Sequence, residues 1–319
     1  MKIVVFGPDQ RVGAWVGDRV VDLNGAFART VSREAADTRV PARLEAFIGL
    51  GDAALDDAQR AIEHAASTGT DGTVVFQASE VKLHAPWPGR RIACAGGNFA
   101  QHLAGMEGGD NVSIEDVTRR ARERGQWGFW KVPDVVAGPE DDIPYPRSTK
   151  YFDYEGEAAI ILGKRGKNIP ASRIDEYVWG ITLLNDWSKR DGMGSPRPMS
   201  YNMPKNFDMS TSMGPCIVVG ELKADDVPVE LRINGALRQA YNTEEMIWSF
   251  GEILEFLSED FTFIPGDMIS GGTNSGTAQD KAQRLPDGTR ALDLFLKVGE
   301  VVEVTSPAIG TLRNRIVQS

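Results

Sequence analysis

The chain has 319 residues, 41% hydrophobic and 25% charged, the proportions of an ordinary globular protein with a sizeable core. Its formal net charge of −10 argues against a nucleic-acid partner, because phosphate binding needs a basic surface, but it leaves room for a small anion met by a few local cations. No apolar run approaches the roughly 20 residues of a membrane span, and the opening MKIVVFGPDQ has no signal-peptide layout.

Residues 2–6 read as a short strand. Gly7 and Gly13 invite a dinucleotide-binding turn, but such a turn opens a helix, whereas residues 14–23 alternate around Gly17-Asp18 as a hairpin. Residues 41–66 are expected to be helical, with Leu44, Phe47, Ile48, Leu55, Ala58 and Ile62 facing inward, and 73–83 return as strand. The proline-containing stretch 86–91 is taken as a linker between a small N-terminal domain, 1–88, and a larger one, 89–319. Cys94 and Cys216 are too few for a disulfide framework and form no CxxC, so both are expected as reduced core residues of a cytoplasmic protein.

From residue 92 the chain turns to short strands and many glycines. Residues 113–124 predict a helix: Ser113 caps it, Glu115 and Asp116 suit its first turn, arginines fill its last and Gly125 ends it. Its apolar face (Ile114, Val117, Ala121) is thin, which fits a surface element, either a lid or solvated decoration. Residues 242–257 predict a second helix, capped by Asn242 with Glu245 three positions on, its stripe of Met246, Ile247, Phe250, Ile253, Leu254 and Leu257 turned to the core.

The stretch carrying most chemical information is 151–164, YFDYEGEAAIILGK. Its apolar run, stopped by Gly163, reads as a buried strand, and side chains two apart on a strand share a face. Glu155 and Glu157 would then point the same way, where bare carboxylates repel; a hard divalent cation is the economical neutraliser, and a solvated strand end is the alternative. Residues 179–186 form another apolar strand ending on Asp186, either a third oxygen ligand or a turn residue. Lys189, Arg190 and Lys205 nearby are ion-pair partners or anchors for a substrate carboxylate. His64 and His84 read as bystanders; His102, on a loop after a strand and glycine turn, is structural or catalytic.

Eight blocks, taken in order over about residues 92–316, resemble the fumarylacetoacetate hydrolase superfamily. They are CAGGNFAQH from Cys94, FWKVPDVVAGPEDDIPYP from Phe129, DYEGEAAIILGK from Asp153, LLNDWSKRD from Leu183 and KNFDMSTSMGP from Lys205. INGALRQAYNTEEMIWSFGEILEFLS from Ile233, PGDMISGGTNSGT from Pro265 and VGEVVEVTSPAIGTLRN from Val298 complete the series. The resemblance implies an α+β, strand-rich fold, a mixed β-sandwich roll behind a small N-terminal α/β domain, usually a homodimer with one Mg²⁺ (or Mn²⁺ or Ca²⁺) per site. It places the metal carboxylates on Glu155, Glu157 and Asp186, with Asp153 as an outer partner. It places the substrate-binding arginine on Arg190, with Tyr154 and Thr273 as further substrate contacts, the catalytic lysine on Lys205 and the general base on His102.

The activity so implied is Mg²⁺-dependent hydrolysis of a carbon–carbon bond in an acylpyruvate or similar 1,3-dicarbonyl acid; the alternative is a 2-oxo acid lyase, an oxaloacetate decarboxylase or a sugar-acid dehydratase. Three departures bear on that choice. Where many members place a glutamate to orient the histidine, this chain has Gly105, so that Glu107, the nearest acid in sequence, takes the task, another carboxylate replaces it, or water activation is impaired. A family threonine is replaced by Met209, beside Ser210 and Thr211. The glycine–threonine loop reads SGGTNSGT, so that Thr273 or Thr277, ahead of Ser270, takes the hydroxyl's place. The 113–124 helix, with Trp127 and Trp130 beyond it, resembles a lid insertion and suggests a substrate larger or more apolar than pyruvate.

Overall fold

A computed structural model describes residues 1–68, 72–107, 112–191 and 202–319. Strand β1 (Lys2–Phe6) pairs with β2 (Arg11–Val16), and β2 with β3 (Arg19–Asp22), giving the hairpin at Gly17-Asp18, where Gly17 takes a φ of 61°. Helices α1 (Leu23–Phe27) and α2 (Arg33–Arg39) follow. The single helix expected over 41–66 is two, α3 (Leu44–Gly49) and α4 (Asp52–Thr68), because Gly51 between them adopts a left-handed φ of 59°. The strand expected over 73–83 is likewise split, into β4 (Val75–Gln77) and β5 (Leu83–His84), by a 3₁₀ turn at Ala78–Glu80.

Next come β6 (Ile92–Ala95), α5 (Ala100–Glu107), α6 (Ile114–Arg124) and β7 (Gly128–Lys131). Helix α6 starts and stops where the sequence predicts: Ser113 Oγ accepts the Asp116 N–H at 3.4 Å, and Gly125 leaves it at a φ of 87°. Strands β8 (Asp142–Pro144), β9 (Phe152–Asp153), β10 (Gly156–Leu162), β11 (Val178–Asp186), β12 (Ser188–Lys189) and β13 (Thr211–Val218) lead to the hairpin of β14 (Pro228–Ile233) and β15 (Ala236–Asn242). The chain closes with α7 (Phe250–Ser258), β16 (Met268–Ser270), α8 (Ala278–Lys281), β17 (Val301–Ser306) and β18 (Gly310–Val317).

The helix expected over 242–257 is also shorter. Asn242 and Glu245 do form a capping box, but it closes a single 3₁₀ turn, Thr243–Glu245. The chain then runs extended because Asn98 captures it: the Ile247 N–H donates to the Asn98 carbonyl and the Trp248 N–H to Asn98 Oδ1, each at 2.8 Å. A second capping box, Ser249 with Glu252, starts α7.

Among the described residues, one large sheet has the order β4-β3-β2-β1-β13-β11-β10-β16-β6-β7, with β5 also bonded to β1, and a second has the order β15-β14-β17-β18-β8. Pairing is antiparallel except β16–β6 and β18–β8, so the sheets are mixed. Strands β10, β11 and β13 of the first sheet lie against β14, β17 and β18 of the second, and a large core fills the space between them. The opposite face of the first sheet packs against α1 to α4 over a second core. Strand β10 shows why its apolar run is continuous: Ala158, Ile160 and Leu162 enter one core, Ala159 and Ile161 the other. The fold is thus the strand-rich α+β sandwich that the resemblance implies. No helix among the described residues is long and apolar enough to cross a membrane.

Candidate active site

The carboxylates come together through strand geometry. Glu155 and Glu157 are two apart at the entry to β10, and Asp186 ends the antiparallel neighbour β11, its N–H donating to the Glu155 carbonyl at 2.9 Å. Glu157 lies opposite Leu184, two residues before Asp186, so all three acids share one face. Their ligand atoms lie within 4.8 Å of one another, and all three side chains are buried.

Three buried cations surround this trio. Lys205 Nζ donates to Asp186 Oδ2 at 2.7 Å and also to Glu155. Arg190 is aimed by the β12–β9 pairing and by its own N–H on the Tyr151 carbonyl, 2.9 Å; its Nε donates to Asp153 Oδ2 at 2.9 Å and its guanidinium also to Glu155. Lys131, on β7, donates to Asp186 and, at 2.8 Å, to the Ser210 carbonyl. Asp153 also accepts the N–H groups of Ala278 and Gln279, 2.8 and 3.1 Å away, and so ties Arg190 to the start of α8.

These charges do not balance. Among the described residues four carboxylates (Asp153, Glu155, Glu157, Asp186) meet three cations, and Glu157 has only the Ser270 hydroxyl as a side-chain partner. Burial, then Asp186, then Glu155 push the Glu157 carboxyl well above the usual carboxylate range. Burial acts on Glu155 too, but Lys205 and Arg190 outweigh it and hold that carboxyl well below the range. Burial alone would lower the Lys205 ammonium; Asp186 and Glu155 raise it instead. An all-oxygen trio with one negative charge in excess fits a hard divalent cation, which Glu155, Glu157 and Asp186 would hold.

His102 is not on a loop: it stands in the first turn of α5, buried, with Nδ1 3.1 Å from Asp280 Oδ2. Glu107, the acid expected near it, ends the same helix at the surface and pairs with Arg120 at 2.6 Å. That expectation is therefore corrected: an exposed acid was captured by the nearest arginine of α6. Tyr154 is corrected as well. It is fully buried in the core, its hydroxyl donating to the Gly276 carbonyl at 2.9 Å, because strand alternation turns it away from Glu155. Thr273 lines the cavity and donates to the Gly156 carbonyl at 2.9 Å, whereas Thr277 caps α8 and Ser270 serves Glu157. Cys94 and Cys216 are free and buried as expected, both thiols raised first by burial, that of Cys216 to about 12.

A cavity of about 100 Å³ opens on this cluster. Its lining combines the charged Glu155, Glu157, Arg190 and Lys205 with the apolar Met106, Trp127 and Phe129, and adds His102 and Thr273; the Lys205 ammonium stands 5.2 Å from the Phe129 ring centre. Trp127 packs against Gly96, where a Cβ would come 2.5 Å from its ring, so glycine there makes room for the indole. Two site residues escaped the sequence reading. Lys131 had a signal, a lysine ending the apolar strand Gly128–Lys131; Asp280 had none locally, lying 178 residues from its histidine.

A family model described as fumarylacetoacetate (FAA) hydrolase C-terminal matches residues 91–317. Oxaloacetate tautomerase YisK of Bacillus subtilis (strain 168) is 32% identical over 312 residues, covering 96% of this chain and 95% of that protein. Mitochondrial oxaloacetate tautomerase FAHD2B of Homo sapiens is 28% identical over 321 residues, covering 99% and 92%. Among solved structures, a fumarylacetoacetate hydrolase from Exiguobacterium antarcticum aligns with a TM-score of 0.74 at 26% identity, both chains covered in full. A maleylpyruvate hydrolase from Sphingobium sp. SYK-6, in complex with manganese(II) and pyruvate, shares the fold with a TM-score of 0.72 at 19% identity, again over the full length of both.

Proposed function

The chain belongs to the fumarylacetoacetate hydrolase family and is an enzyme of that family, and from that premise we propose that it enolises a small 2-oxo acid with the help of a divalent cation, Mg²⁺ first and Mn²⁺ or Ca²⁺ as substitutes. The activity favoured is keto–enol tautomerisation of an oxaloacetate-like acid. The observation that carries this reading is the convergence of the acidic trio, Lys205, Arg190 and His102 on one small cavity. The full-length similarity to a bacterial oxaloacetate tautomerase supports it.

Glu155, Glu157 and Asp186 would hold the cation, which would supply Lewis-acid polarisation of the 2-oxo group. Arg190 and Lys205 offer positive charge to the substrate carboxylate and to the oxygen where negative charge grows. His102 moves the proton: its free ring nitrogen takes the hydrogen from the carbon beside the oxo group and returns it to the enol oxygen, or runs the same transfer backwards. Thr273 lines the same cavity.

The second reading, Mg²⁺-dependent hydrolysis of an acylpyruvate, is favoured by the His102–Asp280 pair. An oriented imidazole can take a proton from water as its oxygen bonds to the distal carbonyl; the carbon–carbon bond then breaks and the pyruvate enolate leaves. Decarboxylation or dehydration, the lyase alternative, shares the enolate step. We take the working form to be a cytoplasmic homodimer, which sedimentation and fractionation check.

One assay separates the chemistries. The enol of oxaloacetate and a set of acylpyruvates are offered with Mg²⁺ and with EDTA, and ultraviolet absorbance, pyruvate and carbon dioxide are followed. Loss of enol absorbance without pyruvate marks tautomerisation; equal loss and pyruvate from acylpyruvates marks hydrolysis; pyruvate with carbon dioxide from oxaloacetate marks the decarboxylating lyase. Rates equal in Mg²⁺ and EDTA sink the metal-dependent reading.

A further inference from the structure

The residue that aims His102 comes from far along the chain. Asp280 Oδ2 lies 3.1 Å from His102 Nδ1, and its side chain is fully sealed from solvent. Both of its oxygens accept the Gly276 N–H, at 3.2 and 3.0 Å, so the carboxylate presents acceptors rather than a donor on that side. Its own N–H donates to Thr277 Oγ1 at 3.3 Å, and the two residues before it are held by Asp153 through their N–H groups. The short α8 is thereby fixed at both the cap and the first turn.

The helix bearing His102 is shaped to receive this acid. Gly105 is one turn beyond His102 and on the same face. A Cβ at 105 would stand 2.8 Å from Asp280 Cβ, closer than a real side chain is found, and a tight 3.3 Å from its carbonyl oxygen. A bare backbone at 105 is what admits Asp280 to the ring.

We infer that Asp280, seated in the notch at Gly105, is the positioning residue for His102. An acceptor-only carboxylate at Nδ1 makes that nitrogen the proton bearer and leaves Nε2 with its lone pair for the cavity. Asp280 touches no substrate; it acts through the ring. The tautomer assignment does not depend on the proposed function, whereas its effect on turnover rests on His102 being the proton carrier there.

The test is ¹⁵N NMR of the full-length protein labelled at histidine, together with Mg²⁺-supported turnover. The chain has three histidines, so a His102→Gln sample assigns the ring. The parent is expected to show Nδ1 protonated. Asp280→Asn keeps one oxygen for Gly276 and turns an N–H₂ group to the ring, which demands an unprotonated Nδ1, so the tautomer inverts. Turnover number should fall roughly 10²–10⁴-fold with KM little changed. Gly105→Ala, which pushes Asp280 away while leaving its charge, is the second arm: it should lose the Nδ1–carboxylate signature and turnover together, and it decides the matter if Asp280→Asn does not fold. An unchanged tautomer in either folded variant overturns the inference, whatever happens to turnover. An inverted tautomer with undiminished turnover upholds Asp280 as the positioning group and overturns His102 as the proton carrier.

Discussion

Two sets of ion pairs stand in contrast, one buried beneath the cavity around Asp186 at the end of β11 and one on the molecule's flank along α6. Beneath, both side chains of the Lys131–Asp186 pair are 0% exposed, and those of the 2.7 Å Lys205–Asp186 pair are 11% and 0% exposed. At the flank, Arg119 meets Asp116 and Glu123 at 3.0 Å and Arg120 meets Glu107 at 2.6 Å, but these side chains are 41–62% exposed. The distances barely differ; the surroundings do. Charge attraction grows as water is excluded, and so does the penalty for stranding one partner. The comparison teaches that burial, not separation, sorts the pairs that hold chemistry from those that decorate a helix.

The largest break in that contrast is expected at Glu157. Glu157→Ala should lower turnover number by roughly 10²–10³-fold or more and abolish Mg²⁺ uptake, read by turnover and by metal titration; full turnover without metal uptake would dismantle the site. Lys205→Met should cost roughly 10²-fold in turnover number while metal uptake survives. Lys131→Met leaves Asp186 short of a buried partner and should destabilise the EDTA-treated protein by about 3–5 kcal/mol in urea unfolding. A change below about 1 kcal/mol would rank that pair with the flank.

Smaller effects sharpen the other side. Burial opposes the charge on Glu252, but the Ser249 N–H and Arg122 prevail and hold its carboxyl below the usual range. Its contribution is therefore present above the ordinary carboxylate pKa and fades as pH falls through the lowered folded value. Glu252→Gln should cost about 1 kcal/mol at neutral pH and nothing once the carboxyl is protonated, by thermal melts across pH. Smallest of all, Glu107→Gln should leave turnover unchanged and stability within about 0.5 kcal/mol; a loss of turnover would bring the flank back into the chemistry.

How far the residues announced all this depends on the range over which each feature is specified. Glu155 and Glu157 were legible because a strand's two-residue repeat is local, and Asp186 because its own strand ends on it. Helix α6 was legible because cap, charges and terminal glycine sit within a dozen residues. The 41–66 helix was over-extended for want of weight on Gly51, and the 242–257 helix because Asn98, far away in sequence, captures residues 247 and 248. Glu107 drew attention by proximity, when the group that meets His102 arrives from α8. Lys131 passed unnoticed because a lysine closing a strand ordinarily points to water; here Asp186 and the Ser210 carbonyl draw it inward.

Strand β1 has a consequence for the whole arrangement. It pairs with the last two residues of β13, Ile217 and Val218, and the other edge of β13 bonds β11, the strand that ends on Asp186. The first few residues of the chain thus join the N-terminal hairpin to a stack whose alignment decides which way a metal ligand faces. A slip of one residue between β13 and β11 would turn Asp186 to the far side of the sheet. Proteolytic loss of the leading segment would bare the backbone groups at the Ile217–Val218 end of β13, open to another chain's edge. Clipped molecules are therefore expected to clump before they lose their carboxylates.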